Sequence, residues 1–521
     1  MSEIDFPKAT VPPPDGHAMI VPAPSKPVEV ARLFVEKDYD DPRGVLLLHH
    51  RGLFYAWLET HWLELEERSV RSALYRWLEH AVYVKDGELV PFDPSKGRVT
   101  NVVDALQSIV HISERVEAPA WLGDDGISEE IVAMQNGLLA HSARELHSHT
   151  PQFFNEYVLP FAFDPSAPEP RRWHQFLREL WGEDQQSIDT FQEIMGYLLV
   201  GGTAQQKIFM LVGPKRTGKG TILRILTALL GVENVAAPTL SSLATNFGLQ
   251  PLVGKPLAAI SDARLGSRSD SPVAVERLLS ISGEDSITID RKYKDPWTGR
   301  LPTRFLVLTN EIPRFTDASG ALASRFVILT LTNSFYGRED TTLTDKLLVE
   351  APAIFNWCLD GLDRLSARGH FVQPDTARSA LQHLEDLASP VSAFVRDRCH
   401  VDAEVHIEKD ELWKAWREWC TDEGAHSGRK AVFVRDLRAA VPAATPSRLG
   451  PRNNRVHVIR GISLRQDETA AATPDTPDTD NEIDPVSGMS GVESIVSQSM
   501  NGYRRPLWDD AAQQFVFEEP R

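Results

Sequence analysis

The chain has 521 residues, 42% of them hydrophobic and 25% charged, close to the globular average, and its length predicts about three or four domains. The apolar run of the candidate strand Ile208–Val212 is five residues, far short of the about twenty that cross a bilayer; a transmembrane protein is excluded and no membrane partner is expected. The net charge of −18, taken over the whole chain, argues against a nucleic-acid partner.

The distribution of charge reverses that reading. Residues 425–465 hold nine bases and one acid, whereas residues 466–521 hold twelve acids and three bases. A basic module followed by an acidic tail is a local pattern that the whole-chain average hides. Cys358, Cys399 and Cys420 form neither a CxxC pair nor a disulfide framework, which predicts ordinary, partly buried thiols in a reducing cytosol. The N-terminus, MSEIDFPKATVPPP, has no basic stretch followed by an apolar one, so no secretory signal and a cytoplasmic location are expected.

In chain order, the prolines up to Pro27 predict a flexible arm over residues 1–27. Residues 28–200 read as a mostly helical domain with short strands. Within it, Leu46–Trp57 is a strand–turn–strand with Arg51-Gly52 at the turn. Ser69–Val84 is an amphipathic helix with Val70, Leu74, Trp77, Leu78 and Ala81 on one face, and Gln185–Leu199 is a further helix. Residues 201–365 alternate strand-like and helix-like segments, with strands at Ile208–Val212, Leu257–Ile260, Ser286–Ile289 and Phe305–Leu308, which predicts an α/β core. Residues 366–390 read as a helical linker. Residues 391–465 read as a small helix-rich domain ending in a strand pair, Arg455–Arg460 with Ile462–Arg465. Its core is the stripe Leu412, Trp413, Trp416, Trp419 and Cys420. Residues 466–521, rich in Asp and Pro, read as a disordered acidic tail.

The most specific signal is Gly213-Pro214-Lys215-Arg216-Thr217-Gly218-Lys219-Gly220-Thr221, which follows IFMLV and precedes the helix-periodic TILRILTALLG. Glycines let backbone N–H groups turn toward phosphate oxygens, the following helix adds its N-terminal dipole, and Lys219 neutralises the β- and γ-phosphates. In the usual pattern a Ser or Thr directly after the lysine holds Mg2+. Gly220 stands there, so Thr221 is the nearest hydroxyl and the candidate metal ligand.

Hydrolysis needs in addition an acid for metal or water, a polar sensor and a cation for developing charge. LAAIS ends in Asp262, the form expected of a Walker B strand. FLVLT ends in Asn310, the sensor candidate. In ALASRFVIL, Arg325 sits against an apolar strand, where an arginine can reach a neighbouring subunit's ATP. The water-activating carboxylate is left open, with Glu284 and Asp285 as candidates. Between Gly283 and Phe305, ITIDRKYK, a turn at DPWTG and RLPTRF read as a hairpin carrying Arg291, Lys292, Lys294, Arg300 and Arg304, interleaved with Tyr293 and Trp297. Charges that follow phosphates and rings that stack on bases suit a single strand. The second DNA candidate is the C-terminal module, with Arg429, Lys430, Arg435, Arg438, Arg448, Arg452 and Arg455.

The glycine loop, ISDA, SISGEDSITIDRKYK, FLVLTNEIP and the arginine of ALASRFVIL occur in the order of superfamily 3 helicases, and resemble most the phage and plasmid primase–helicase group. NGLLAHSARELHSHTP, LPFAFDP and IMGYLLVGG look like the helical domain ahead of that motor, and residues 391–465 look like its winged helix. The resemblance implies an AAA+-like P-loop motor, assembled as a ring of six subunits in the family's manner, with ATP at subunit interfaces. It implies that Lys219 holds phosphates, Asp262 acts with Mg2+, Asn310 is sensor 1 and Arg325 is a finger supplied in trans. It also implies that Lys292 and Lys294 lie in a pore hairpin gripping single-stranded DNA at a replication fork. Many relatives carry two adjacent acids where Asp262 is followed by Ala263. No carboxylate cluster suited to priming precedes the motor, so no primase activity is expected and a separate primase is an expected partner. Two other classes fit less of the pattern: an ATP-switched origin-binding initiator with little unwinding, and a P-loop kinase or protein-remodelling ATPase.

Overall fold

The computed structural model describes residues 19–465, except 124–125, 128, 201, 262, 264–269, 293, 316–319, 450 and 452–454, together with 507–509 and 514–516. The chain divides into two units, residues 1–465 and 466–521. In the second, Leu507–Asp509 pairs antiparallel with Gln514–Val516. The rest of the acidic tail, expected to be disordered, lies outside the described residues, as do residues 1–18 of the expected arm. Among the described residues no helix is long and apolar enough to cross a membrane.

The end of that arm is packed rather than loose. Val21 is 3% exposed and its N–H donates to the Val82 carbonyl at 2.8 Å. Pro27 opens helix α1 (Pro27–Asp38), where a missing N–H costs nothing. Strands β1 (Leu47–His50), β2 (Leu53–Trp57) and β3 (Trp62–Leu65) form an antiparallel sheet. The expected turn is present, with Arg51 and Gly52 at φ 48° and 75°, as a two-residue hairpin requires. Helix α2 (Glu67–Leu78) buries Val70, Leu74, Trp77 and Leu78 but stops short of Val84. Val82–Lys85 instead pairs with Glu88–Pro91 across the Asp86-Gly87 turn, where a β-branched run beside a turn dipeptide overrides helical spacing. After α3 (Lys96–Ile109), β4 (Ile131–Met134), β5 (Gly137–Ala140) and β6 (Glu145–His147) form a second antiparallel sheet. NGLLAHSARELH is therefore strand, and the N-terminal region is mixed rather than mostly helical.

Helices α4 (Arg171–Trp181) and α5 (Gln185–Leu199) lead to the core. Asp184 caps α5, accepting from the Ser187 N–H at 3.0 Å. Strand β7 (Ile208–Val212), helix α6 (Lys219–Leu230), β8 (Val235–Ala236) and β9 (Leu257–Ser261) follow, then helix α7 (Asp270–Ser282) and the hairpin β10 (Ile287–Arg291) and β11 (Lys294–Gly299). Strands β12 (Arg304–Thr309) and β13 (Phe326–Thr330) complete a sheet of order β8–β9–β12–β7–β13, parallel throughout. Its strands are buried on both faces, as a parallel sheet covered by helices must be. Ser286–Ile289, expected in this core, belongs to the separate β10–β11 hairpin.

Helices α8 (Leu343–Leu348) and α9 (Ala351–Arg368) cover one face. At Gly196 of α5 a Cβ would lie 2.3 Å from the Cys358 carbonyl of α9, and at Gly361 of α9 it would lie 2.6 Å from the Gln192 side chain. The two helices cross at contact because both positions lack a side chain. Gly196→Ala is expected to cost about 1–3 kcal/mol, as overpacking does, read as a lowered midpoint in urea unfolding.

The segment expected to be a linker is part of the body. Helix α10 (Arg378–Ala388) buries Ala380 and Leu384 in the cluster that covers the second face of the sheet. Helix α11 (Pro390–Arg398), β14 (His406–Glu408), α12 (Lys409–Asp422), α13 (Lys430–Ala440), β15 (Thr445–Leu449) and β16 (Val456–Arg460) make the last domain. Leu412, Trp416, Trp419 and Cys420 lie in its core as expected. The expected strand pair is rearranged: β16 pairs with β14 and β15, while Ser463–Leu464 pairs with Cys399–His400. Only Gly461 and Ile462 separate the two segments, and the Gly461 N–H donates across to the Val405 carbonyl at 2.9 Å.

Candidate nucleotide site and nucleic-acid interface

All five core strands run the same way, so their C-terminal ends share one edge. Val212, Ser261 and Thr309 close that edge, and the residues that follow them in sequence are Gly213, Asp262 and Asn310. β7 stands between β12 and β13 at the point where the strand order reverses, which is where open α/β sheets bind ligands. Asp262 itself lies outside the described residues.

Close backbone packing and hydrogen bonds shape the glycine loop. At Gly213 a Cβ would lie 2.2 Å from the Leu331 carbonyl, and at Gly218, with φ 87°, it would lie 2.8 Å from Leu180 Cδ2. The first contact lets the loop leave β7 against the backbone beyond β13; the second lets α4 press on the start of α6. On the outer side the Phe335 N–H donates to the Arg216 carbonyl at 2.8 Å and the Ser334 hydroxyl to the Lys215 carbonyl at 3.2 Å. Thr217 is 1% exposed, and its hydroxyl donates to the Pro214 carbonyl at 3.1 Å.

Lys219 turns into this loop. Its Nζ donates to the carbonyls of Gly213 at 2.5 Å and Pro214 at 2.8 Å and to the Thr217 hydroxyl at 3.2 Å. Burial holds the ammonium below the usual lysine range, because a desolvated cation is costly without an anion beside it.

A cleft of about 780 Å³ opens over the loop, lined by residues 215–221 and Asn310. Arg172 and Phe176 of α4, Arg224 of α6, and Phe335, Arg338 and Leu343 also line it. Of these, only Arg224 had a sequence signal, four residues beyond Gly220 on one helical face; the rest come from segments distant in sequence. The cleft is cationic at the loop and apolar at Phe176, Phe335 and Leu343. Cations for phosphates and apolar side chains for a flat ring line one cleft, so the residues present suit a nucleoside triphosphate.

The carboxylates lining the cleft are engaged. Glu179 pairs with Arg172 at 3.3 Å, Glu339 with Arg216 at 3.4 Å and Asp340 with Lys346 at 2.8 Å. The Lys346 ammonium and Thr342 hydroxyl hold the Asp340 carboxyl down to about 2. The Thr221 hydroxyl, a candidate metal ligand, accepts from the Arg224 guanidinium at 3.1 Å; in this arrangement it does not suit a dication.

Arg325 stands at the other end of the sheet. It directly precedes Phe326, which pairs with Ile208 at the start of β7, so the length of the sheet, about 16 Å at about 3.3 Å per residue, separates it from its own chain's loop. There Lys207 Nζ donates to the Ser324 carbonyl at 2.8 Å, and burial and Arg325 hold that ammonium below its usual range. Glu284 lies at the same edge, accepting from the Thr203 hydroxyl at 2.5 Å, while the neighbouring Gly283 would place a Cβ 3.2 Å from the Arg325 guanidinium. Glu284 and Asp285 therefore do not face the cleft of their own chain, and the water-activating carboxylate has no candidate among the described residues of that cleft.

Residues 37–182 match a family model described as D5 N terminal like. Residues 211–325 match a family of unknown function, DUF5906. Among solved structures, the chain is similar to the apo structure of NrS-1 C terminal region (305-718), at 11% identity over 84% of this chain and 99% of that one, with a TM-score of 0.49. It is also similar to the A form apo structure of that C terminal region, at 13% identity over 80% and 95% of the two chains, with a TM-score of 0.47.

The basic hairpin turns earlier than expected. Arg291 pairs with Lys294, so DPWTG, expected to be the turn, falls within strand β11; Pro296 is tolerated because the ladder has only two strands. Arg291, Lys292 and Lys294 are thereby at the tip, with the Lys292 N–H donating to Gln250 Oε1 at 3.1 Å. Tyr293 lies outside the described residues. Trp297, expected to stack on bases, is 9% exposed in the core, and Arg51 of the β1–β2 turn lies over its ring at 5.7 Å. Arg51 is held there by the Glu114 carbonyl, to which it donates at 2.8 Å. Trp297 is thus a root of the hairpin, closed to a base, whereas Arg300 beside it is exposed. In the last domain Arg429, Arg438, Arg448 and Arg455 are exposed, Lys430 pairs with Asp410, and Arg452 lies outside the described residues.

Proposed function

We propose that the chain is an ATP-dependent DNA helicase of phage or plasmid replication, working as a homo-oligomeric, hexameric ring on single-stranded DNA at a fork. The observation that carries this reading is the split across the sheet: the glycine loop and Asn310 at one edge, Arg325 at the other. A core built so is an AAA+-like P-loop motor whose cleft is completed by the next subunit. Bound ATP supplies the phosphoanhydride whose hydrolysis drives movement. Lys219 and the loop N–H groups hold its phosphates, Asn310 senses the terminal one, and Arg325 reaches the neighbour's cleft. Asp262, directly after β9, is the proposed Mg2+ partner.

The DNA side rests on two basic surfaces. Arg291, Lys292 and Lys294 at one hairpin tip, with Arg300 near its root, follow the backbone of a single strand. The last domain has the order helix–strand–helix–helix–strand–strand of a winged helix, with exposed arginines on α13 and the β15–β16 hairpin. The match of residues 37–182 to D5 N terminal like supports the same family reading. Priming is assigned to a separate partner.

One observation favours a second reading, an ATP-switched origin-binding initiator: every described carboxylate lining the cleft is already paired. ATP turnover measured with and without single-stranded DNA, followed by displacement of a labelled strand from a forked duplex, separates the two. DNA-stimulated turnover with displacement is the expected result. Tight ATP binding, negligible turnover and sequence-specific duplex binding would establish the initiator instead.

A further inference from the structure

Arg224 lies over Gly220 on the first turn of α6. On an α-helix a residue four positions on lies over the same face, and its side chain leans back toward the N-terminus. Arg224 does so: its Nε donates to the Thr344 hydroxyl of α8 at 3.1 Å and its Nη2 to the Thr221 hydroxyl at 3.1 Å. Its Nη1 lies 3.5 Å from where a Gly220 Cβ would be. Two neutral hydroxyls hold the guanidinium in the wall of the cleft, beside Lys215 and Lys219. The cleft's own carboxylates are bonded to Arg172, Arg216 and Lys346.

A serine or threonine at 220 would stand where the usual loop presents a metal-holding hydroxyl. Here no side chain stands at that place, and the Arg224 guanidinium lies at van der Waals distance from it. The next hydroxyl, Thr221, already accepts from the same cation, and a metal bound to it at about 2.1 Å would sit against a fixed positive charge. We infer that Arg224 is a phosphate-binding residue of this site, reaching over Gly220 to supply in cis the positive charge that a loop-held metal ion supplies elsewhere. The inference rests on the nucleotide reading of the cleft and adds to it that triphosphate binding depends only weakly on a divalent cation.

The test uses the full chain and a fluorescent, non-hydrolysable ATP analogue, titrated in EDTA and in Mg2+. Wild type is expected to bind in both, and Arg224→Gln to lose about ten- to a hundredfold in EDTA, the worth of one or two charge-assisted hydrogen bonds. Arg224→Lys should recover part of the loss, and Gly220→Ser added to Arg224→Gln should recover it only when Mg2+ is present. Matching unfolding midpoints of the unliganded proteins separate lost binding from lost structure. Equal affinity of Arg224→Gln and wild type in EDTA, or wild-type binding that vanishes in EDTA, overturns the role of Arg224 alone. Wild type that binds the analogue in neither condition overturns the nucleotide reading, and Arg224 with it.

Discussion

Lys219→Ala is expected to abolish ATP turnover, with or without DNA, while the protein stays folded. The Lys219 ammonium is half-buried among the Gly213 and Pro214 carbonyls and the Thr217 hydroxyl, at the mouth of α6. A preorganised charge aimed at where negative charge develops is worth about a hundred- to a thousandfold in rate, so a fall of at least about a hundredfold is expected. Stability responds in the other direction or not at all. Burial makes the charged ammonium costly, so removing it offsets the loss of its three hydrogen bonds. Initial rates at saturating ATP, beside an unchanged or slightly raised thermal midpoint, check both halves. A variant that keeps a tenth or more of wild-type turnover would remove Lys219 from the phosphate site.

Arg325→Ala is expected to be as inactive as Lys219→Ala, and the two inactive proteins to restore activity when mixed. The reason is distance. Arg325 opens β13 at the edge where Ile208 begins β7, a full strand away from the loop that follows Val212, and no side-chain rotation spans that gap. A subunit with an intact loop but no Arg325 needs only a neighbour with an intact Arg325. In a random mixture about a quarter of the interfaces of a closed ring combine the two intact halves. An arginine finger contributes about a thousandfold or more to phosphoryl transfer, so even that fraction stands far above either variant alone. Each protein should elute as an oligomer of wild-type size. Arg325→Ala with near-normal turnover, or a mixture no more active than its parts, would deny the trans role.

How far the sequence reached depended on the range of the interactions involved. The parallel core was readable because strands buried on both faces are continuous apolar runs: IFMLV appears as β7 residue for residue, and LAAI and FLVL each fall within one strand. The glycine loop was readable because its chemistry is local, with glycines, lysine and helix start within nine consecutive residues. The Arg51-Gly52 turn and the helix Gln185–Leu199 were readable for the same reason. Where two local signals competed, the weaker reading failed: Val82–Lys85 left the α2 periodicity for a hairpin closed by Asp86-Gly87, and DPWTG, read as a turn, became a strand because pairing to β10 outweighed its turn residues.

What no local pattern could contain was the meeting of distant segments. Trp297 has the aromatic and basic neighbours of a base-stacking residue, yet Arg51, some 250 residues earlier in the sequence, closes its ring. The cleft draws its apolar lining from α4 and from Phe335 and Leu343, which meet only because the sheet order brings the segment beyond β13 beside β7. Glu284 carries the right chemistry for water activation, but parallel strands have two unlike edges, and the fold puts it with Arg325 at the edge away from its own chain's cleft. Residue types and their spacing thus determined that this chain carries a glycine-rich loop on an α/β core; the strand order and direction decided which of its charged residues share a cleft and which stand at the opposite edge of the sheet.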